Sequence, residues 1–176
     1  MHIMIIGAAG MVGRKLTTAL VAAGQVGGNP IERLTLADVV VPSAPEGFGG
    51  KVETVASDLS APGAAAALVA SRPDLIFHLA AIVSGEAEAD FEKGYRINLD
   101  GMRYLLEAIR LEGQREAYKP RLVFTSSIAV FGAPYPEVIE DEFFCTPLTS
   151  YGTQKAICEL LLNDYSRKGF VDGIGI

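Results

Sequence analysis

Residues 4–13, MIIGAAGMVG, constrain the fold more than any other stretch: a short apolar run breaks into glycines three apart and reopens with helical spacing. The apolar run reads as a buried strand. Gly7 is free to take the dihedrals of a tight strand-to-helix turn, Gly10 leaves room for a pyrophosphate to approach the main chain, and Gly13 lets the helix pack close to the strand. The helix then opens with Met11 and Val12. Free N–H groups in that first turn, at the positive end of the helix dipole, make an anion site without any basic side chain.

A second strand, RLTLAD, ends in Asp38, 25 residues after Gly13. That is where a dinucleotide fold sets a carboxylate for the adenosine ribose hydroxyls. No arginine follows, Val39 and Val40 offer nothing to a ribose phosphate, and Asp38 repels one, so NAD is the expected cofactor rather than NADP. Arg14 and Arg33 are the residues able to overturn that expectation. The segment KVETVASDLS reads as a third strand ending in Asp58. Asp58 and Leu59 either meet an adenine ring, with the carboxylate accepting from the exocyclic amine, or Asp58 caps a helix starting near Pro62.

Strands and helices alternate along the rest of the chain. A helix over 11–23 is stopped by Gly24, Gly27 and Gly28, an alanine-rich helix over 64–70 is ended by Pro73, and DLIFHLAA forms a fourth strand, apolar on both faces. His78 within it reads as a core or strand-end histidine. Leu79, Ala80 and Ala81 lie at that strand's C-terminal end, where open α/β sheets hold their ligands. A long helix over about 90–111 is apolar on more than one face, a polar connector fills 112–119, and RLVFTSSIAVFG supplies a fifth strand. The last helix runs over about 149–167, and GIGI begins a sixth strand. This pattern predicts an α/β fold: a doubly wound parallel sheet of the Rossmann type, about six strands with helices on both faces.

With 176 residues there is room for one domain, and 49% hydrophobic residues suffice for a core. A net charge of -6 without a Lys/Arg cluster argues against nucleic acid or an anionic membrane surface as partner. No apolar run approaches the ~20 residues of a membrane span, and no leader is recognisable, so a cytoplasmic protein is expected. Cys145 and Cys158 have neither metal-ligand spacing nor partner histidines and read as reduced thiols; no metal is expected.

Chemistry is expected at Tyr151 and Lys155, four apart in YGTQK and so on one helix face. A neighbouring ammonium stabilises phenolate, which suits Tyr151 as general base toward a hydroxyl or general acid toward a carbonyl, while Lys155 is also in a position to bond the nicotinamide ribose. Ser126 and Ser127 end the fifth strand on the same sheet edge as the glycine turn, and a hydroxyl there can orient the reacting oxygen.

Taken together, GAAGMVG, Asp38, Asp58-Leu59, HLAA from His78, Asn98 in INLDGMRYLLEA, SSIAVFG from Ser126, and Tyr151 with Lys155 resemble the extended short-chain dehydrogenase/reductase family, the NAD-dependent epimerase/dehydratase group. The resemblance implies a Ser/Tyr/Lys catalytic set with Ser127 as the serine by register and Ser126 as the alternative. It implies that Asn98 shapes the long helix to support a proton-relay water. Phe131 stands where many members have tyrosine, and Ile128 and Ala129 replace the Asp-Glu pair that dehydratases need, which disfavours dehydration. The run from Ser126 to Phe170 resembles members that oxidise a small sugar acid. A nucleotide-sugar epimerase holding its NAD, and a non-catalytic NAD-binding module, are the alternatives. The resemblance further implies a homodimer through the helices containing Met102 and Tyr151. It also implies that residues 1–176 are the NAD-binding domain, with the smaller C-terminal substrate domain of the family absent from this chain.

Overall fold

Ile3, Met4, Ile5 and Ile6 of strand β1 (His2–Ile6) are all buried, so both faces of the strand must be covered. The computed structural model, which describes all 176 residues, covers them with helices. In chain order there follow α1 (Met11–Ala23), a two-stranded ribbon β2 (Gln25–Val26) and β3 (Asn29–Pro30), β4 (Arg33–Asp38), β5 (Lys51–Ala56), α2 (Ala64–Val69) and β6 (Leu75–His78). Then come α3 (Ser84–Ala89), α4 (Phe91–Gly94), a π-helical turn (Tyr95–Asp100), α5 (Gly101–Arg115), β7 (Arg121–Phe124), a 3-10 turn (Ile128–Val130), α6 (Ser150–Arg167) and β8 (Asp172–Gly175).

Six strands form one parallel sheet in the order β5-β4-β1-β6-β7-β8. The order reverses between β1 and β6, and a crevice opens at such a switch point beyond the strands' C-terminal ends. Alternation along β1 divides the core in two. Ile3 and Ile5 pack with Leu20 of α1 on one face, while Met4 and Ile6 pack with α2, α5 and α6 on the other.

The expected elements recur with five differences. The glycines after α1 do more than stop it: Gly24 is the left-handed cap, but Gly27 and Gly28, at φ 55° and 82°, make the two-residue turn of the β2–β3 ribbon. Helix α2 ends before Pro73, through Ala70, Ser71 and Arg72. The expected strands are shorter than their apolar runs. Pairing of β5 ends at Ala56, so Asp58 lies in the loop beyond it, and β7 ends at Phe124, so Ser126 and Ser127 also follow their strand.

The long helix over 90–111 starts where expected but is three consecutive segments, α4, the π turn and α5, with the short α3 ahead of it. Asp90 takes an extended backbone and its carboxylate accepts from Lys93 N at 3.0 Å, which restarts the helix. A Cβ at Gly94 would lie 2.8 Å from Gln154 Nε2, and a wider π turn then carries Asn98. Finally, α5 continues through the expected connector to Arg115, because Glu112 pairs with Arg72 at 2.8 Å and with Arg115 at 3.1 Å. The apolar coverage of α5 is absorbed within the chain. Met102, Leu105, Leu106 and Ile109 are each 0% exposed, so that coverage gives no support to a second subunit.

Candidate active site at the C-terminal edge of the sheet

The glycine turn leaves β1 with Gly7 at φ 93°, where a Cβ would stand 2.7 Å from Ala80 N. A Cβ on Gly13 would stand 2.2 Å from Gly7 O, so α1 is seated directly on the turn. Gly10 differs. Its hypothetical Cβ meets only Gly7 O, at 3.3 Å, and otherwise faces open space. The amides of Met11, Val12 and Gly13 go to no backbone carbonyl, and no acidic residue occupies the first turn of α1. The result is an anion cradle.

Beside it, Asp38 holds the turn. Its Oδ2 accepts from Ala9 N at 2.9 Å and its Oδ1 from Val39 N at 2.7 Å, with a further lone pair on each oxygen. Asp38, Asp58, Leu59, Ala80 and Ile97 line one small pocket, with His78 at its base. Asp58 caps the loop rather than α2, whose N-cap is Gly63. Asp58 Oδ1 accepts from Ser60 N and Ser60 Oγ, at 2.9 Å and 2.6 Å. Leu79 N pairs with Ile6 O at 2.8 Å, and the chain continues through Ala80 and half-buried Ala81 along the glycine turn.

His78 is 2% exposed, and burial followed by the Lys155 charge pushes its pKa down to about 3. It is a neutral core imidazole, as its place in an apolar strand predicts. Arg33 opens β4 at the end of the strand away from Asp38 and pairs with Glu53 at 2.7 Å, which removes it as a ribose-phosphate ligand.

Thr149 caps α6 by accepting from Gly152 N at 3.0 Å, and the helix brings Lys155, one turn after Tyr151, against the end of β7. Lys155 is 3% exposed. Its Nζ donates to Thr125 O at 2.8 Å and lies 4.6 Å from the Phe124 ring centre and 5.6 Å from that of Tyr151. Burial pushes the Lys155 pKa down to about 8. Ser127 Oγ accepts from Ala129 N at 3.1 Å as cap of the 3-10 turn, whereas Ser126 Oγ is engaged by Glu159, one helical turn beyond Lys155. A cavity of about 480 Å³ lies along that later part of α6 beside Ser126, Glu159 and β8, and includes neither Tyr151 nor Lys155.

Asn98 is 4% exposed and works as a backbone mimic. Its Oδ1 accepts from Ile82 N at 2.9 Å, and its Nδ2 donates to Ile82 O at 3.2 Å and to Gln154 Oε1 at 2.8 Å. The Asn98 carbonyl accepts from the Cys158 thiol at 3.3 Å, and burial pushes that thiol's pKa up to about 12. Gln154, Thr125 O, Ser60 and Arg96 were not among the residues expected from sequence. A backbone carbonyl leaves no mark in a sequence, while Gln154, immediately before Lys155, was open to being read as a buried helix position.

A family model described as the NAD dependent epimerase/dehydratase family matches residues 3–176. The chain belongs to this family. It is 48% identical to a D-erythronate dehydrogenase of Cupriavidus necator and 45% identical to one of Haemophilus influenzae, over 98% and 99% of its length. It also superposes on a crystal structure described as a nucleoside-diphosphate-sugar epimerase from Agrobacterium tumefaciens, with TM-score 0.98 and 71% identity over 99% of this chain and 51% of that one. The chain spans about half the length of the curated relatives it matches, 53% of each.

The residues present fit the cofactor that the family description names. A dinucleotide needs an uncrowded pyrophosphate cradle, which Gly10 and the free α1 amides supply, and a hydroxyl acceptor next to it, which Asp38 supplies. No cluster of His, Cys, Asp or Glu in the chain is arranged to hold a metal ion, and no helix is long and apolar enough to cross a membrane.

Proposed function

We propose that this chain is the cofactor-binding and catalytic portion of an NAD-dependent dehydrogenase that oxidises a hydroxyl-bearing carbon of a small sugar acid resembling D-erythronate. The observation that carries the reading is the dry lysine: Lys155 is held by Thr125 O one turn after Tyr151, at the sheet edge that also carries the glycine turn. The two D-erythronate dehydrogenase relatives support the substrate class.

When bound, NAD supplies the hydride acceptor. The Met11, Val12 and Gly13 amides hold its pyrophosphate, Asp38 its adenosine ribose, and Asp58 with Leu59 its adenine, while Leu79, Ala80 and Ala81 offer backbone close beside the glycine turn. Tyr151 takes the proton from the substrate hydroxyl, and the Lys155 ammonium beside the ring stabilises the phenolate that results. Ser127 orients the reacting oxygen. Asn98, clamped between Ile82 and Gln154, fixes the π turn against α6. Residues that discriminate between substrates belong, on this reading, to the half of the relatives' length that the chain does not share.

The test is Tyr151→Phe. In a protein that also carries the other half of the relatives' length, it is expected to lower NADH formation from a D-erythronate-type acid by about 100-fold or more while leaving NAD affinity within a few-fold. The 176 residues alone are expected to turn over weakly or not at all. Undiminished turnover would sink the assignment, and unaltered affinity with no turnover in either protein would favour a binding module. An epimerase is the second reading, supported by the Agrobacterium relative's description. It predicts that no NADH reaches solution during turnover. A homodimer through α5 and α6 would have to use their outer faces, where Leu111 and Leu160 are 46% and 70% exposed. A monomer by light scattering would refute it.

A further inference from the structure

Arg96 sits in the π turn next to Ile97, a wall of the Asp38–Asp58 pocket. Its Nη1 donates to Ser60 Oγ at 2.6 Å and to Asp58 Oδ2 at 3.3 Å. Ser60 passes the constraint on, donating from both its backbone N and its hydroxyl to Asp58 Oδ1. The two carboxylate oxygens are therefore unequal. Oδ1 carries two short bonds, whereas Oδ2 carries one bond well beyond the ~2.8 Å of a strong charge-assisted contact and keeps capacity to accept.

Stability alone does not account for this arrangement. The Arg96 and Asp58 side chains are 50% and 42% exposed, and exposed pairs of this kind contribute about 0–1 kcal/mol. What the three residues do fix is orientation: donors from the loop after β5 and from the π turn together determine the rotation of the Asp58 carboxyl. The Ser60 hydroxyl, with Arg96 behind it, also holds that carboxyl below the usual carboxylate range, so it remains an acceptor and not a donor.

We propose that Arg96, acting partly through Ser60, is a positioning residue that leaves Asp58 Oδ2 as the acceptor for the exocyclic amine of an adenine, so that the pocket selects a 6-amino over a 6-oxo purine dinucleotide. The inference rests on the NAD reading above and goes beyond it. A 6-oxo group would set an acceptor against a carboxylate oxygen with no proton between them, leaving both unpaired.

Calorimetric titration of the chain with NAD and with its hypoxanthine analogue tests this in four proteins: wild type, Arg96→Ala, Arg96→Lys and Asp58→Asn. The wild type is expected to prefer NAD by about 10-fold or more. Asp58→Asn should erase that preference, Arg96→Ala should narrow it at least about threefold through weaker NAD binding, and Arg96→Lys should restore most of it, because a single nitrogen makes both contacts. A residue that merely supported the fold would weaken both ligands alike and leave their ratio unchanged. An unchanged ratio in Arg96→Ala, or equal binding of both ligands by the wild type, overturns the inference while the cofactor reading stands. No NAD binding by the wild type overturns the cofactor reading itself, and the inference with it.

Discussion

Lys155 is buried as a cation among Phe124, Tyr151 and the Cys158 thiol, and its one hydrogen bond goes to Thr125 O. Burial that lowers a lysine's pKa in the folded state means that the unfolded chain binds the proton more tightly. The cost is fully present while the group is charged in both states and is relieved as pH rises through the folded value. With the pKa moved from 10.5 to about 8, the wild type should gain up to about 3 kcal/mol of stability relative to Lys155→Met between about pH 8 and pH 10.5. Denaturant unfolding of both proteins at about pH 7 and about pH 10 checks it, and a constant difference would show that the lysine titrates normally. Tyr151 and Lys155 were legible because helical periodicity alone sets residues four apart on one face. The partners that make the lysine dry were not, since Thr125 O, the Phe124 ring and the His78 imidazole come from strands whose side chains are assigned to this helix only by the fold.

Glycine roles separate at the scale of the element. Gly10→Ala adds a methyl that meets one oxygen at 3.3 Å, so the β1–α1 unit should fold with a stability change of about 1 kcal/mol or less, yet NAD affinity should fall about 10-fold or more because the methyl enters the pyrophosphate cradle. Gly13→Ala forces a carbon to within 2.2 Å of Gly7 O and should cost about 2 kcal/mol or more whether or not cofactor is present. Unfolding midpoints and NAD titrations of the two variants together distinguish cradle from packing contact. Equal stability losses would mean that Gly10 is also a packing position. The β1–α1 turn could be read in advance because its constraints are local. The helix start near Asp90 was legible too, but the π turn after Gly94 was not: a period near 3.6 persists through it, while the close contact at Gly94 comes from Gln154 of α6, 60 residues later. The β2–β3 ribbon was in the sequence as Gly27-Gly28, a two-residue turn signal masked by its nearness to the end of α1.

At the scale of the molecule, a doubly wound parallel sheet with helices on both faces was foreseeable from alternating strands and helices, whereas the strand order and what covers each helix face were not. A helix that is apolar on more than one face is compatible with a core position or with a second subunit, and α5 lies between the sheet, α2 and α6 and buries both sides within the chain. Internal burial of this kind leads us to expect a chain that folds without its partners and responds to cofactor on its own. Ligand that binds only the folded state stabilises it by RT ln(1 + [L]/Kd), about 2.7 kcal/mol at one hundred times Kd. NAD should therefore raise the unfolding midpoint by several degrees, and NADP at the same concentration by far less, because the carboxylate of Asp38, held beside the cradle by Ala9 N, repels a ribose phosphate and Arg33 is committed to Glu53. A D-erythronate-type acid added alone should leave the midpoint within error, since the chain spans only about half of the relatives named for that substrate. A clear shift with the acid alone would locate substrate recognition within these 176 residues, and an equal response to NADP would reassign Asp38 from ribose acceptor to turn brace.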